Sequence, residues 1–175
     1  MSVGKTTLVK ALKELPEFKD YNFATERSKY LNNIGIPLNT DSTLKGQTVF
    51  LAERCSELMN EKIITDRTVI DVMAFTMNAK SIAYQDKEIF EDYAKEFVRE
   101  YDYIFYISPD GIPIEDNGVR ETDEYYRDVI DFSIVSLIRK YAHMMNKIET
   151  IKGSTQDRIN QMLKVINSWY IYNKI

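Results

Sequence analysis

The stretch Ser2-Val3-Gly4-Lys5-Thr6-Thr7-Leu8-Val9 decides the fold of this chain. Gly4 allows the backbone to come close to an anion, and the N–H groups that follow can point inward at that anion as a nest. Leucines then recur at helical spacing until Pro16, so we expect a helix whose positive dipole end is directed at the same point. The stretch therefore predicts a phosphate-binding site at a helix N-terminus.

The triplet Gly4-Lys5-Thr6 matches the second half of the P-loop motif G-x-x-x-x-G-K-[ST]. In this motif Lys5 would reach the β- and γ-phosphates of ATP, and the Thr6 hydroxyl would hold Mg²⁺. Val3 and Thr7 complete the predicted cofactor-binding loop. The alternative is a chance triplet at a turn before an ordinary amphipathic helix.

The first glycine of the P-loop motif would lie five residues before Gly4. The sequence begins three residues before Gly4, so neither that glycine nor a strand ahead of it is present. We therefore expect the strand ahead of the loop to be missing, leaving an empty slot in front of the helix. We also expect the chain to begin roughly ten residues further upstream, which is about one strand and the start of the loop.

The composition indicates a single globular domain over residues 1–175, with 44% hydrophobic and 29% charged residues. A net charge of −4 and a pI near 5.2 argue against a nucleic-acid-binding surface or an anionic membrane partner. Cys55 is the only cysteine, which excludes an internal disulfide and is typical of a reducing compartment. No apolar run is long enough to span a membrane, and no signal-peptide pattern is present, so we expect a cytoplasmic protein.

Strand and helix patterns alternate along the chain. Short runs of β-forming residues predict four strands, at 21–25, 62–65, 103–107 and 148–151. Helical periodicity predicts helices after the first one at 28–33, 44–61, 69–79, 88–101, 122–143 and 159–166. In the helix at 122–143 we expect Phe132 to point inward with its aliphatic neighbours. The alternation predicts an α/β fold with a parallel sheet.

An acid followed directly by an arginine ends two of the predicted strands, at Glu26-Arg27 and at Asp66-Arg67. Ligands of open parallel sheets bind at the carboxyl ends of the strands. Asp66 is placed to hold a metal ion or its water shell, Glu26 to meet an acceptor hydroxyl, and the two arginines to clamp an anionic acceptor. The alternative for each pair is an ordinary surface or helix-terminal ion pair.

The polar segment at about 110–127 follows the most apolar strand and carries Arg120 and Arg127. Residues seven apart share one face of a helix, and two arginines at this edge suit a lid that closes over ATP phosphates. The alternative is ion pairing with the acidic residues of the same segment.

Taken together, the motifs resemble those of the P-loop nucleoside and nucleotide kinases, and among them the NadR-like group that contains ribosylnicotinamide kinase domains. The matching residues, in chain order, are Gly4-Lys5-Thr6-Thr7-Leu8, Glu26-Arg27 with Lys29 and Tyr30, Phe50-Leu51 with Glu53, Ile64-Thr65-Asp66-Arg67 with Asp71 and Ala74-Phe75, Tyr101-Asp102-Tyr103, Asp116-Asn117-Gly118-Val119-Arg120, and Gly153-Ser154-Thr155-Gln156-Asp157-Arg158.

The resemblance implies a three-layer P-loop NTPase fold, in which the missing first strand would be the central one, and ATP-dependent phosphoryl transfer to a small acceptor. By it, Lys5 and Thr6 serve ATP and Mg²⁺, Glu26 and Asp66 surround the acceptor hydroxyl and the metal, and Arg120 serves the lid. The turn that begins at Gly153 would pack near the adenine. Which of Glu26 and Asp66 is the base stays open, as does the acceptor: ribosylnicotinamide, a deoxynucleoside or a nucleoside monophosphate.

Two other functions remain open on the sequence. One is an ATPase or GTPase switch, although a base-reading Asn/Thr-Lys-x-Asp motif for GTP is absent. The other is an inactive remnant that lost its nucleotide site together with its first strand. The aromatic run Trp169-Tyr170-Ile171-Tyr172 is interpreted as a cap on the core, with a homodimer contact as the alternative.

Overall fold

A computed structural model describes residues 3–25, 27–109, 112 and 123–172, with side chains as far as Ser168. Its four strands lie where the sequence predicts them and are three residues long each: β1 Asn22–Ala24, β2 Ile63–Thr65, β3 Ile104–Tyr106 and β4 Ile148–Thr150. Each is a short apolar or aromatic run closed by polar residues, which is the pattern of a buried parallel strand.

Seven α-helices connect and flank the strands of the described chain: α1 Lys5–Lys13, α2 Ser28–Asn33, α3 Leu44–Glu57, α4 Val69–Asn78, α5 Tyr84–Ala94, α6 Glu124–Tyr141 and α7 Thr155–Tyr172. Short 3₁₀ turns lie at Pro16–Phe18, Asn39–Asp41, Lys95–Glu100 and Ala142–Met144. The helix expected at 88–101 therefore begins earlier, and its second half is a 3₁₀ segment. None of the helices in the described ranges is long and apolar enough to cross a membrane.

The strands form two parallel pairs. β1 pairs with β2, with Phe23 opposite Ile64, and β3 pairs with β4, with Phe105 opposite Glu149. Within the part of the chain that the structure describes, no ladder joins β2 to β3. The four predicted strands are present and each pairs in parallel with one other strand, but the pairs are two separate sheets with a cleft of about 700 Å³ between β2 and β3.

Side chains of the sheets alternate between two apolar clusters, one on each face. Ile104 and Tyr106 of β3 pack with α3, α4, α5 and α6. Phe105 and Ile107 pack on the other face with α1 and α7. Because successive strand residues point to opposite faces, helices cover both sides of the strands. The architecture is the α/β arrangement of three layers that the sequence predicts.

The orientation of α6 differs from the prediction at one position. Ile130, Ile134, Leu137 and Tyr141 are buried, whereas Phe132 is 73% exposed. Buried positions spaced by three and four residues define one face of a helix, and Phe132 lies two residues from each of its buried neighbours Ile130 and Ile134, which places it on the opposite face. Its expected inward orientation is wrong.

Candidate phosphate-binding and acceptor site

The turn into α1 has the conformation that the glycine in the sequence permits. Gly4 has φ 74°, in the left-handed region, and its carbonyl accepts the first helical hydrogen bond from Leu8 at 2.9 Å. A Cβ at this position would lie 3.3 Å from Nη1 of Arg158. The same Nη1 donates to the carbonyl of Val3 at 2.8 Å. Arg158 of α7 therefore fixes the backbone just before the turn. The turn thus presents the N-terminus of α1 at the carboxyl edge of the strands.

Lys5 contacts a carboxylate that the predicted site did not include. Its Nζ donates to Oδ1 of Asp71 at 3.3 Å, and Nη1 of Arg67 lies 3.8 Å from the same oxygen. Burial alone would raise the pKa of Asp71, but the charges of Lys5 and Arg67 and the hydrogen bonds from Thr68 and Lys5 lower it to about 2. Asp71 is therefore ionised at neutral pH and neutralises part of a cationic cluster.

The start of α4 positions Asp71. Thr68 caps this helix: its side chain accepts from the N–H of Ile70, and its own N–H donates to Oδ2 of Asp71 at 2.9 Å, which completes a capping box. One carboxylate oxygen therefore holds the cap while the other faces Lys5 and Arg67. The T-x-x-D spacing directly after Asp66-Arg67 is the sequence signal that could have identified Asp71 as part of the site.

Thr6 and Asp66 are brought together across 60 residues of sequence. The Thr6 hydroxyl donates to Oδ2 of Asp66 at 2.9 Å, and Asp66 is only 6% exposed. The backbone N–H of Asp66 donates to the carbonyl of Ala24, which extends the β1–β2 ladder by one residue and fixes the acid at the end of β2. A hydroxyl and a carboxylate oxygen at this distance are hard ligands of the kind that Mg²⁺ takes together with phosphate oxygens and water.

Arg27 lies on the other side of the β1 end and contacts α3. Its Nη1 is 3.3 Å from Oε1 of Glu53, and its guanidinium stacks on Tyr30 at 4.5 Å. Next to Glu53 on α3, the buried Arg54 pairs with Glu57 at 2.7 Å. Burial raises the pKa of Glu57 to about 7 although Arg54 opposes the shift. Glu53 is among the residues that carry the resemblance, whereas Arg54 and Glu57 were not predicted, because nothing in their spacing distinguishes them from a solvated helix face.

The remaining predicted site residues make no hydrogen bond or ion pair with Lys5, Thr6 or Asp66 in the described part of the chain. Arg127 donates from Nη1 to the carbonyl of Ile112 at 2.8 Å, and its Nε lies 3.6 Å from Oδ1 of Asp128. Gly153 has φ 92° in the turn before α7, and Thr7 is exposed on α1. Glu26, Arg120 and most of the predicted lid at 110–127 lie outside the described residues.

The chain matches the model of the AAA domain family over residues 1–158. No curated protein matches the sequence. Among solved structures, deoxyadenosine kinase from M. mycoides with bound dCTP has a similar fold, with a TM-score of 0.65 and 16% identity, over 96% of this chain and 95% of that chain. A second structure of that enzyme, with the products dCMP and a flexible dCDP bound, gives a TM-score of 0.61 and 15% identity, over 95% and 94%.

At these identities the likeness to the solved structures concerns the fold, which confirms the predicted α/β P-loop architecture. The family match covers more than half of the chain and includes every element from α1 to the first turn of α7. The chain belongs to the AAA domain family.

Proposed function

We propose that the chain is an ATP-dependent kinase that transfers a phosphoryl group to the hydroxyl of a nucleoside or nucleotide. The observation that carries the proposal is the convergence of Lys5, Thr6 and Asp66 at the N-terminus of α1. Phosphoryl transfer depends mostly on positioning and on stabilising charge, and this cluster combines a helix N-terminus, a cation and a carboxylate.

ATP would place its phosphates at the turn of Gly4. The N–H groups of Lys5, Thr6 and Thr7 belong to the first turn of α1 and have no intrahelical acceptor, so they can donate to phosphate oxygens. Lys5 would exchange its hydrogen bond to Asp71 for one to a phosphate, while Arg67 would remain paired with that carboxylate. After this exchange the negative charge of Asp71 would still face the positive charge of Arg67.

Thr6 and Asp66 are the residues that would hold Mg²⁺, directly or through water, as their oxygen atoms fit its preference. When bound, Mg²⁺ would neutralise charge on the phosphates. Asp66 already accepts a hydrogen bond from the Thr6 hydroxyl in the first turn of α1, and an acceptor hydroxyl brought to the same place could donate to its carboxylate in the same way. Asp66 and Glu26 are the two candidates for the base that takes the proton of the acceptor hydroxyl.

The class of acceptor is inferred from the neighbours in fold and from the acid–arginine pairs. Deoxyadenosine kinase binds dCTP and dCMP in the structures compared above. In this chain Arg27 and Arg67 lie at the ends of the paired strands β1 and β2, where an acceptor would meet both. We therefore place a deoxynucleoside, a ribosylnicotinamide-like nucleoside or a nucleoside monophosphate at this edge, and Arg120 and Arg127 over the ATP side.

A second candidate is ATP hydrolysis without an acceptor, which the match to the AAA domain family favours. The two functions use the same phosphate site and differ in what attacks the γ-phosphate. Water gives ADP and phosphate, whereas an acceptor hydroxyl gives ADP and a phosphorylated product.

The experiment is a transfer assay with radiolabelled ATP and a panel of nucleosides and nucleoside monophosphates. We expect label in an acceptor product, and we expect Lys5→Ala to abolish it while Lys10→Ala, an exposed residue of the same helix, retains it. Phosphate release that is independent of every acceptor would support the ATPase instead. Equal transfer by the unmodified chain and by Lys5→Ala would show that the proposed phosphate site at Gly4 and Lys5 does not carry the reaction.

A further inference from the structure

The Tyr101-Asp102-Tyr103 motif carries part of the resemblance but has no part in the proposed chemistry. Tyr101 lies just before β3, and its ring packs against the apolar cluster formed by α3, α4, α5 and α6. Its hydroxyl reaches the N-terminus of α4 and accepts a hydrogen bond from the N–H of Val69 at 3.1 Å. The two residues are 32 positions apart, so this bond ties the segment before β3 to the helix that carries Asp71.

Side-chain oxygens occupy the N–H groups at the start of α4. Three successive N–H groups donate to such oxygens, those of Thr68, Val69 and Ile70. Their acceptors are Asp71, Tyr101 and Thr68 in that order, and of these only Tyr101 lies outside the helix and its cap. Within the described residues, no side chain caps the first turn of α1. The N-terminus of α1 is therefore open to an anion, whereas that of α4 is already satisfied by oxygens of the protein.

The cap of α4 fixes the orientation of the Asp71 carboxylate. Its Oδ2 accepts from the N–H of Thr68 at 2.9 Å. Its Oδ1 faces Nζ of Lys5 at 3.3 Å and Nη1 of Arg67 at 3.8 Å. Both sets of contacts depend on where the first turn of α4 lies. A shift of that turn would move Asp71 away from Lys5, and the cation would lose the partner that holds it beside the N-terminus of α1.

The hydroxyl of Tyr101 is itself held in place. Val69 is fully buried, so water does not replace the hydroxyl as acceptor, and a buried N–H without an acceptor is costly. Nδ2 of Asn146 donates to the carbonyls of Tyr101 at 3.1 Å and of Arg99 at 3.3 Å, which fixes the backbone on the other side. Burial raises the pKa of Tyr101, so the group is a neutral hydroxyl at neutral pH.

We propose that Tyr101 is a positioning residue of the candidate site: by holding the first turn of α4 it places Asp71, and through Asp71 it places Lys5 for phosphoryl transfer. Its effect on catalysis rests on the proposed function, whereas its contact with α4 does not. Tyr101 acts on the place of the α4 turn rather than on a phosphate or an acceptor.

The test measures the pKa of Asp71 by NMR titration of its carboxyl carbon in the unmodified chain, in Tyr101→Phe and in Tyr141→Phe. Tyr101→Phe keeps the ring and removes the acceptor of the Val69 N–H. Tyr141→Phe is the matched control, because it also removes one buried hydroxyl, which donates to Glu91 at 2.7 Å at the C-terminal end of α6. We expect Tyr101→Phe to raise the pKa of Asp71 from about 2 by at least about 0.5, and Tyr141→Phe to leave it unchanged.

A transfer assay then tests whether Tyr101 acts through Asp71. Tyr101→Phe should lower the single-turnover rate of phosphoryl transfer by at least about threefold, because a small displacement of a positioned group is enough to slow such a step. In the Asp71→Asn background the same substitution should have no further effect on the rate. Effects of the two substitutions that multiply would mean that Tyr101 does not act through Asp71, and would overturn the proposal.

An unchanged pKa of Asp71 in Tyr101→Phe would also overturn it, as would an equal rise in Tyr141→Phe, since a general loss of stability would then explain both. If Tyr101→Phe does not fold, Asn146→Ala takes its place, because it releases the backbone of Tyr101 from an exposed position. No rise in the pKa of Asp71 in that variant would contradict the proposal. If the unmodified chain transfers phosphate to no acceptor, the proposed function fails, while a raised pKa in Tyr101→Phe still supports the placement of Asp71 by Tyr101.

Discussion

Replacing Asp71 by asparagine tests the electrostatics of the candidate site. The substitution keeps the size of the side chain and an oxygen for the Thr68 cap, but removes the charge that faces Lys5 and Arg67. The pKa of Asp71 is lowered from 3.8 to about 2, and one pKa unit corresponds to about 1.4 kcal/mol. Because the side chain is only 13% exposed, little of this is lost to solvent screening, and we expect Asp71→Asn to lower the free energy of unfolding by about 2 kcal/mol at pH 7.

The pH dependence of that loss follows from the sign of the shift. A carboxyl group with a lowered pKa in the folded chain stabilises it above the unfolded pKa, and the stabilisation disappears as the pH falls through the folded value. The difference in the free energy of unfolding between the unmodified chain and Asp71→Asn should therefore be largest at pH 7 and should shrink as the pH falls from about 4 to about 2.

The assay is urea unfolding followed by circular dichroism at pH 7 and at pH 3, in low salt. Asp92→Asn is the matched control, since Asp92 is an exposed partner of Lys95 on α5 and should show no measurable change. A double-mutant cycle with Lys5→Met isolates the pair. The reasoning is refuted if Asp71→Asn is as stable as the chain at pH 7, or if its loss is as large at pH 3 as at pH 7.

Three further substitutions test the surrounding structure. Thr68→Ala removes the cap of α4 and should lower the free energy of unfolding by about 1 kcal/mol in urea titrations, whereas an unchanged midpoint would contradict the capping box. Met73→Ala leaves a cavity at a fully buried position and should cost about 2–5 kcal/mol in the same titration; a loss below 1 kcal/mol would mean that Met73 does not pack in the core. Burial raises the pKa of Glu57 to about 7 in the folded chain. The free energy of unfolding should therefore fall by up to about 3 kcal/mol as the pH rises from 4.5 to 7. Glu57→Gln should flatten this part of the pH–stability curve, and identical curves would exclude Glu57 as its source.

Local patterns were sufficient to predict the positions of the strands. Ile63–Thr65 and Ile104–Tyr106 are short β-forming runs bounded by polar residues, and burial on both faces makes such runs apolar at nearly every position. The rule that parallel strands carry ligand sites at their carboxyl ends then placed Asp66 and Arg67 near Lys5 without any three-dimensional information.

Contacts that depend on how helices approach one another were not predictable. Lys5 and Asp71 are 66 residues apart, and their contact depends on the relative position of the first turns of α1 and α4. The face of α6 that is buried was also misjudged at Phe132, because β-branched and aromatic residues surround it on both sides in the sequence. Periodicity identifies a helix more readily than it identifies which of two apolar stripes faces the core.

The most direct test of the proposed chemistry is a single-turnover measurement of γ-phosphate transfer by Asp66→Asn. Asp66 accepts from Thr6 at the point where the phosphate, the metal and the acceptor would meet. We predict that Asp66→Asn lowers the rate of transfer to a nucleoside or nucleotide acceptor by at least about tenfold, while Asp102→Asn, at the opposite end of the cleft, leaves it unchanged. Transfer by Asp66→Asn at the rate of the unmodified chain would contradict the account.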